Sequence, residues 1–193
     1  LQPREGAIVT IPVDFSQYTK STPIFENKEA ELAFFSTKFS YKKEDGQLVG
    51  KHQGAHYFTK GQRKGLNVGG TKEALYVIET DVAENIIYTG EGKNHQGLYR
   101  NVLFVSNEEI HWIREDLALN EGEKLEVLAR IRYRQPLQKA TLHQFKNGMY
   151  VVFEKPQSAI TEGQFVAWHN KDEVLGSGVI VIGFSPFLNS KEK

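Results

Sequence analysis

Two stretches of the sequence combine several cations with no acid. Residues 51–72 carry five lysines and arginines, and residues 127–153 carry another five, which include Arg130, Arg132 and Arg134. Lysine and arginine neutralise phosphates and release counterions, so acid-free basic stretches suit a nucleic-acid backbone. In a strand, alternation would place all three arginines on one face. The competing interpretation is a solvated strand face without a ligand.

A glycine-rich segment forms a second candidate site. Glycines at positions 61, 65, 69 and 70 surround Arg63 and Lys64. Glycine lets the backbone approach a phosphate closely, and the two cations could hold it. Thr71 stands where a P-loop requires lysine, so the segment is not an ATP-binding P-loop. On its own, the pattern fits an ordinary turn equally well.

Residues that could support catalysis or bind a metal are sparse. His52 and His56 have the spacing of zinc-protease histidines, but Gln53 replaces the required glutamate and Gly54 weakens a helix. The chain contains no cysteine, which excludes thiolate metal sites and cysteine nucleophiles. The sequence therefore predicts neither a metal site nor a complete catalytic site.

The amino-acid composition limits the partners and the cellular compartment that we expect for the protein. The 193 residues include 24 basic and 24 acidic side chains, so any polyanion must be held by a local patch. Hydrophobic residues make up 39%, enough for a packed core, and the apolar runs are too short to span a bilayer. We expect no membrane partner and, from the cysteine count, a cytoplasmic protein. Because Leu1 is not methionine, we also expect a fragment.

Short β-rich runs separated by turn signals dominate from residue 75 onward. Repeated short strands at such spacing are typical of antiparallel barrels and sandwiches. We therefore predict a mainly β protein with a small α+β part. A small central mixed domain over residues 1–92 should precede an antiparallel six-stranded β-barrel over residues 93–193.

The first domain contains a segment of mixed character at about residues 13–43. Asn27 is placed to cap a helix that runs to Phe39. The pair Asp45 and Gly46, between two short runs, predicts a hairpin. We expect the segment to be an insertion that decorates the central domain.

Four segments resemble a known family in their order and spacing. They read HQGAHYFTKGQRKGLNVGG at 52–70, RYRQ at 132–135, AITEGQFVA at 159–167 and VLGSGVI at 174–180. Together they are similar to the C-terminal half of the tRNA-specific 2-thiouridylases. The resemblance covers residues 1–12 and 46–182, and the insertion has no counterpart in the usual family pattern.

The resemblance implies an activity for the full-length protein. The family thiolates the 2-position of the wobble uridine in the tRNA anticodon. An N-terminal domain with an S-G-G-x-D-S loop binds ATP and adenylates the base, and two cysteines there deliver persulfide sulfur from a donor protein. This sequence resembles only the central domain and the barrel, which grip tRNA. We therefore expect no cofactor in this chain, and ATP in the full-length enzyme.

Carried over residue by residue, the resemblance implies tRNA contacts at Arg132, Tyr133 and Gln164. Arg132 would bind phosphate oxygens, Tyr133 would bind the backbone or stack on an exposed base, and Gln164 would position the RNA. Further candidates for tRNA binding are Gly61, Gln62, Arg63, Lys64, Arg130 and Arg134.

Two other functions stay open. One is a stand-alone RNA-binding or translation-factor-like β-barrel without catalysis. The other is a protein-interaction module whose basic stretches serve only solubility. Salt-dependent tRNA binding would separate the RNA-binding functions from the last one.

Overall fold

The computed structural model describes residues 3–181, which form two compact units. The first unit comprises the described residues up to Thr22 together with Phe39–Tyr99. The second comprises Pro23–Lys38 and the described residues from Arg100 onward. The insertion is therefore shared between the units, whereas we expected it to belong wholly to the first. None of the described helices is long and apolar enough to cross a membrane.

The first unit is built on a mixed four-stranded sheet. Its strands are β1 (Gly6–Thr10), β2 (Gln47–His52), β3 (Leu75–Asp81) and β4 (Ile86–Glu91), in the order β2-β1-β4-β3. The central pair, β1 and β4, is parallel, and both outer pairs are antiparallel. The short helix α1 (Ser16–Thr19) follows β1.

Both faces of this sheet are covered. Alternation along β1 and β4 turns Ile8 and Ile87 to one face and Val9 and Tyr88 to the other. The first pair packs against Ala55, Leu66, Leu75 and Val77, and the second against Phe15, Tyr18, Ile78 and Leu98. A sheet buried on both faces needs apolar residues at successive positions, which explains the continuous apolar run in β1.

The predicted hairpin around Asp45 is wrong. The Asp45 carboxylate accepts the backbone N–H of Lys42 at 2.7 Å, and residues 43–45 form a single 3₁₀ turn. Gly46 has a φ of −146°, an extended conformation and not the positive φ of a tight hairpin turn. The strand that follows, β2, pairs with β1 instead.

A seven-stranded antiparallel sheet forms the second unit, one strand more than the predicted six. It contains β5 (Tyr99–Ser106), β6 (Ile110–Trp112), β7 (Lys124–Arg130), β8 (Gln138–Phe145), β9 (Gly148–Ser158), β10 (Phe165–Asn170) and β11 (Glu173–Val179), in the order β5-β9-β8-β7-β10-β11-β6. The three-residue β6 pairs with β11. The N–H of Val181 donates to the Phe104 carbonyl at 2.9 Å, so the chain after β11 also bridges to β5. Residues 182–193 of the predicted barrel domain lie outside the described residues.

The core of the second unit consists of inward-facing side chains from these strands. Trp168, Leu142, Met149 and Val151 have at most 1% of their surface exposed. Alternation along each strand leaves the intervening residues on the outer face.

Helix α2 (Lys28–Ser36) lies within the insertion and packs on the second unit. As predicted, Asn27 caps it, since the Asn27 side-chain oxygen accepts the N–H of Ala30 at 2.9 Å. Leu32 and Ala33 are buried against Val102, Phe104 and Tyr150. Burying a leucine side chain contributes roughly 1.5–3 kcal/mol, enough to anchor a helix of two and a half turns.

Candidate nucleic-acid interface

The predicted row of three arginines on one strand face does not form. Strand β7 ends at Arg130, and the chain then turns through residues 131–135. The turn is closed by the N–H of Gln135, which donates to the Arg132 carbonyl at 3.0 Å. Arg132 and Arg134 therefore lie in a turn, which we call the arginine turn (residues 131–135).

The guanidinium of Arg132 binds backbone carbonyls. Its Nη1 donates to the Ser158 oxygen at 3.1 Å and its Nη2 to the Ala159 oxygen at 2.7 Å. Both carbonyls belong to residues 158–164, which we call the Gln164 turn. The Thr161 hydroxyl also donates to the Ala159 oxygen, at 3.1 Å. Arg132 thus fastens one turn to the other, and part of its donor capacity is used inside the protein.

Two glutamines form a second link beside Arg132. The side-chain N–H of Gln135 donates to the side-chain oxygen of Gln157, which is only 4% exposed. Gln157 in turn donates to the Lys155 carbonyl at 2.6 Å. The arginine turn is therefore held to the end of β9 by uncharged as well as charged hydrogen bonds.

Tyr133 stands out of the arginine turn with 85% of its surface exposed. The Arg130 guanidinium lies 5.4 Å from the centre of its ring and donates to the Tyr133 carbonyl at 3.0 Å. A cation over an exposed aromatic ring contributes about 0.5–1 kcal/mol, so Arg130 steadies the ring. The ring is thereby held in place while most of its surface stays accessible.

Gln164 closes the neighbouring turn, which depends on a glycine. Gly163 has a φ of +80°, a conformation that side chains other than glycine rarely adopt. Its N–H donates to the Ile180 carbonyl at 3.0 Å, and the N–H of Ile180 donates to the Gln164 carbonyl at 2.7 Å. The Gln164 side chain is half-buried, and its oxygen has no hydrogen-bond partner among residues 3–181.

One aromatic residue of this surface was missed by the sequence analysis. Phe165 follows Gln164 directly and is 64% exposed. The available signal was the alternation of β10, in which Val166 and Trp168 are fully buried and Phe165 must therefore face outward. The contacts thus bring Arg132 and the Gln164 turn together, Arg130 and Tyr133 together, and Phe165 next to Gln164.

The candidates in the first unit lie in a braced loop, residues 59–65, which we call the Gly61 loop. Its brace is Gln62, whose side chain accepts the Thr59 N–H at 3.0 Å and donates to the Lys64 carbonyl at 2.9 Å. Gly61 has a φ of +84°. Arg63 and Lys64 are exposed to solvent. The loop therefore presents two cations from a backbone that is fixed by other residues.

Two histidines of the first unit, His52 and His95, are buried and bonded to the backbone. His52 is 5% exposed, its Nδ1 accepts the Gly54 N–H at 2.9 Å, and burial lowers the pKa of its imidazole. His95 is also buried, and its Nε2 lies 3.1 Å from the Ile11 carbonyl. In the part of the chain that the structure describes, no three histidine, aspartate or glutamate side chains are grouped so as to hold a metal ion.

The two units match two known domain types. Residues 39–91 match the tRNA methyl transferase PRC-barrel domain, and residues 104–180 match the aminomethyltransferase beta-barrel domain. The first match contains the Gly61 loop, and the second contains both the arginine turn and the Gln164 turn. The chain thus belongs to the class of proteins that join these domains, one of which is named for tRNA-modifying enzymes.

Curated relatives narrow this class to one family. The tRNA-specific 2-thiouridylase MnmA of Flavobacterium johnsoniae is 62% identical over 180 residues, and that of Christiangramia forsetii is 59% identical over 180 residues. Each alignment covers 93% of this chain and 46% of the relative. The Karelsulcia muelleri protein of the same name is 48% identical, with 44% of its length covered. The chain belongs to the tRNA-specific 2-thiouridylase family and spans less than half the length of these relatives.

Proposed function

We propose that this chain is the tRNA-binding portion of an ATP-dependent tRNA-uridine 2-sulfurtransferase, which makes 2-thiouridine at the wobble position. In the complete enzyme, ATP would activate the uridine as an adenylate, and the terminal sulfur of a cysteine persulfide, supplied by a donor protein, would displace AMP. A second cysteine thiol would then cleave the sulfur–sulfur bond, which releases thiouridine and leaves a disulfide between the two cysteines. Because this chain has no cysteine, the sulfur-carrying groups would belong to another part of the enzyme. We assign the reaction to the cytoplasm.

The observation that carries the proposal is the surface around the arginine turn. Arg130 and Arg134 supply positive charge in a stretch of 27 residues without an acid, and Tyr133 offers an accessible ring. Arg132 joins this turn to the Gln164 turn through the Ser158 and Ala159 carbonyls. Such a surface suits RNA, which offers phosphates to the cations and unpaired bases to the ring. The Gly61 loop, with Gly61, Gln62, Arg63 and Lys64, would make a second set of contacts.

The binding part of the proposal is tested by titrating this chain with tRNA at several salt concentrations. The logarithm of the affinity should fall linearly with the logarithm of the salt concentration. Replacing both Arg130 and Arg134 by alanine should reduce the slope by about one, for the phosphate contact of the exposed Arg134, because Arg130 is engaged with Tyr133. Lys124→Ala is the matched control, since Lys124 is an exposed cation at the opposite end of β7. Affinity that is independent of salt and of both arginines would contradict the proposal.

The catalytic part needs a separate assay. The product of the complete reading frame should form thiouridine in tRNA when ATP and a persulfide donor are supplied, whereas this chain alone should form none. Thiouridine formed by the chain alone would contradict the assignment of catalysis elsewhere. Salt-dependent tRNA binding without thiolation by the complete product would indicate the stand-alone RNA-binding barrel.

A further inference from the structure

The surface around the arginine turn carries two exposed aromatic rings, and the family resemblance assigns an RNA contact to only one of them. Tyr133 is 85% exposed and Phe165 is 64% exposed. A single exposed apolar residue is ordinary at a protein surface, but Phe165 lies beside a basic turn that carries a second exposed ring. Nothing in the resemblance gives Phe165 a role.

Strand register places the two rings at the same end of neighbouring strands. β10 pairs with β7 through Ala167 opposite Arg130 and Trp168 opposite Ala129. Phe165 lies two residues before Ala167, so it faces outward like Ala167 and lies level with the chain just beyond Arg130. That chain is the arginine turn, which carries Tyr133.

The Arg132 bridge fixes this arrangement. Its bonds to the Ser158 and Ala159 carbonyls hold the arginine turn to the Gln164 turn, and the Gln164 turn runs directly into Phe165. Arg130 orients Tyr133 from the other side through its contact with the ring. Both rings are therefore attached to segments whose backbones are tied together, and little ordering entropy is lost when a ligand binds them.

We propose that Tyr133 and Phe165 form a stacking platform for unpaired RNA bases, with Arg132 as the positioning residue that holds the platform together. Single-stranded loops are recognised by stacking of unstacked bases on aromatic side chains, and such stacking tolerates any base. The ligand class is thus an unpaired loop of RNA. This inference rests on the proposed tRNA-binding function and adds a site residue and a binding mode to it.

The test uses the 193-residue chain and an anticodon stem–loop RNA that carries 2-aminopurine at one loop position. Phe165→Ala should weaken binding by about tenfold, within the range measured for the loss of one stacked base. The dependence of affinity on salt should stay unchanged, because no charge is removed. The quenching of 2-aminopurine fluorescence on binding should be reduced in Phe165→Ala and in Tyr133→Ala.

Two further variants separate stacking from other causes. Phe165→Tyr keeps the ring and should bind within about twofold of the wild type. Phe34→Ala removes another exposed aromatic residue, on helix α2, and should have no effect on RNA affinity. Because Phe165 lies outside the buried core, its removal should leave the melting temperature nearly unchanged.

The outcomes separate this inference from the proposed function. If the wild-type chain binds the stem–loop in a salt-dependent way but Phe165→Ala binds equally well with equal quenching, the platform is refuted while the proposed function stands. If the wild type shows no salt-dependent binding, both are refuted. Loss of affinity in Phe34→Ala equal to that in Phe165→Ala would also overturn the platform, since it would indicate a general effect of exposed rings.

Discussion

The Gly61 loop and the arginine turn use their polar side chains in opposite ways. In the Gly61 loop the uncharged Gln62 braces the backbone, and both cations, Arg63 and Lys64, are left at the surface. In the arginine turn a cation, Arg132, is itself a brace, because it donates to two carbonyls of the Gln164 turn. The number of cations in a basic stretch is therefore not the number of phosphate contacts it can make.

This difference predicts different responses to mutation. Removing an unengaged cation should lower both the affinity for tRNA and its salt dependence, since counterion release accompanies each phosphate contact. Removing a bracing cation should lower affinity through loss of geometry, with little change in the salt dependence. The slope of affinity against salt is therefore the measurement that tells the two roles apart.

The largest effect is expected in the Gly61 loop. Replacing both Arg63 and Lys64 by alanine should weaken tRNA binding by roughly 3 kcal/mol, since hydrogen bonds to charged groups contribute about 1.5–3 kcal/mol each. The salt slope should fall by about two. The measurement is tRNA binding by the 193-residue chain over a series of salt concentrations.

A matched control lies in the same basic stretch. Lys51 forms an ion pair with Glu5 at 2.7 Å, so Lys51→Ala removes a cation that is already neutralised and should leave the slope nearly unchanged. An equal loss of slope in Lys51→Ala and in the double variant would show that only net charge matters. The distinction between cations that are bonded within the protein and cations that are left for phosphate contacts would then be refuted.

A smaller effect is expected from Arg132→Lys. Lysine keeps the charge but cannot donate to two carbonyls with the fixed fork of a guanidinium. We expect tRNA affinity to fall by about 1 kcal/mol, roughly fivefold, through loosening of the Gln164 turn. The salt slope should stay the same, and hydrogen exchange of residues 158–164 should speed up. Full affinity in Arg132→Lys together with a lowered slope in Arg132→Ala would make Arg132 a direct phosphate contact instead.

Local patterns predicted those parts of the fold that depend on local interactions. The cap at Asn27 was predictable because an N-cap bond joins residues three apart. The short strands were predictable because alternation requires only neighbouring residues. The hairpin prediction at Asp45 failed because this side chain bonds the Lys42 N–H and makes a 3₁₀ turn, an outcome that the turn pair alone does not reveal.

The residues of the candidate site could be predicted from the sequence, but their arrangement in space could not. A strand was expected to carry Arg130, Arg132 and Arg134 on one face, but β7 ends at Arg130. Pro136 follows six residues later and lacks the N–H that a strand interior needs. The Arg132 bridge joins residues 26 and 27 positions apart, which no local pattern reveals. The position of α2 on the second unit likewise depends on contacts with distant strands.

The smallest expected effect concerns His169 on β10, which is 4% exposed. Burial and, to a lesser extent, the positive charge of Arg130 lower the pKa of its imidazole in the folded protein. The ordinary pKa of a histidine is about 6.5, so below that pH the unfolded chain binds more protons at His169 than the folded chain does. The contribution of His169 to the free energy of unfolding is fully present above that pH and is lost as the pH falls toward the lower, folded pKa.

The variant Arg130→Gln tests whether the positive charge of Arg130 affects the pKa of the buried His169 imidazole. Removing the like charge should raise the pKa of His169 toward its ordinary value, whereas the pKa of His52, which burial lowers in the first unit, should stay where it is. NMR titration of both imidazoles in the wild type and the variant measures the two values in one experiment. The acid-induced loss of stability should become slightly smaller in the variant, since the pKa of His169 would differ less between the folded and unfolded states. An unchanged His169 pKa would mean that solvent screens Arg130 fully, in which case Arg130 would act on this surface only through Tyr133 and not through its field.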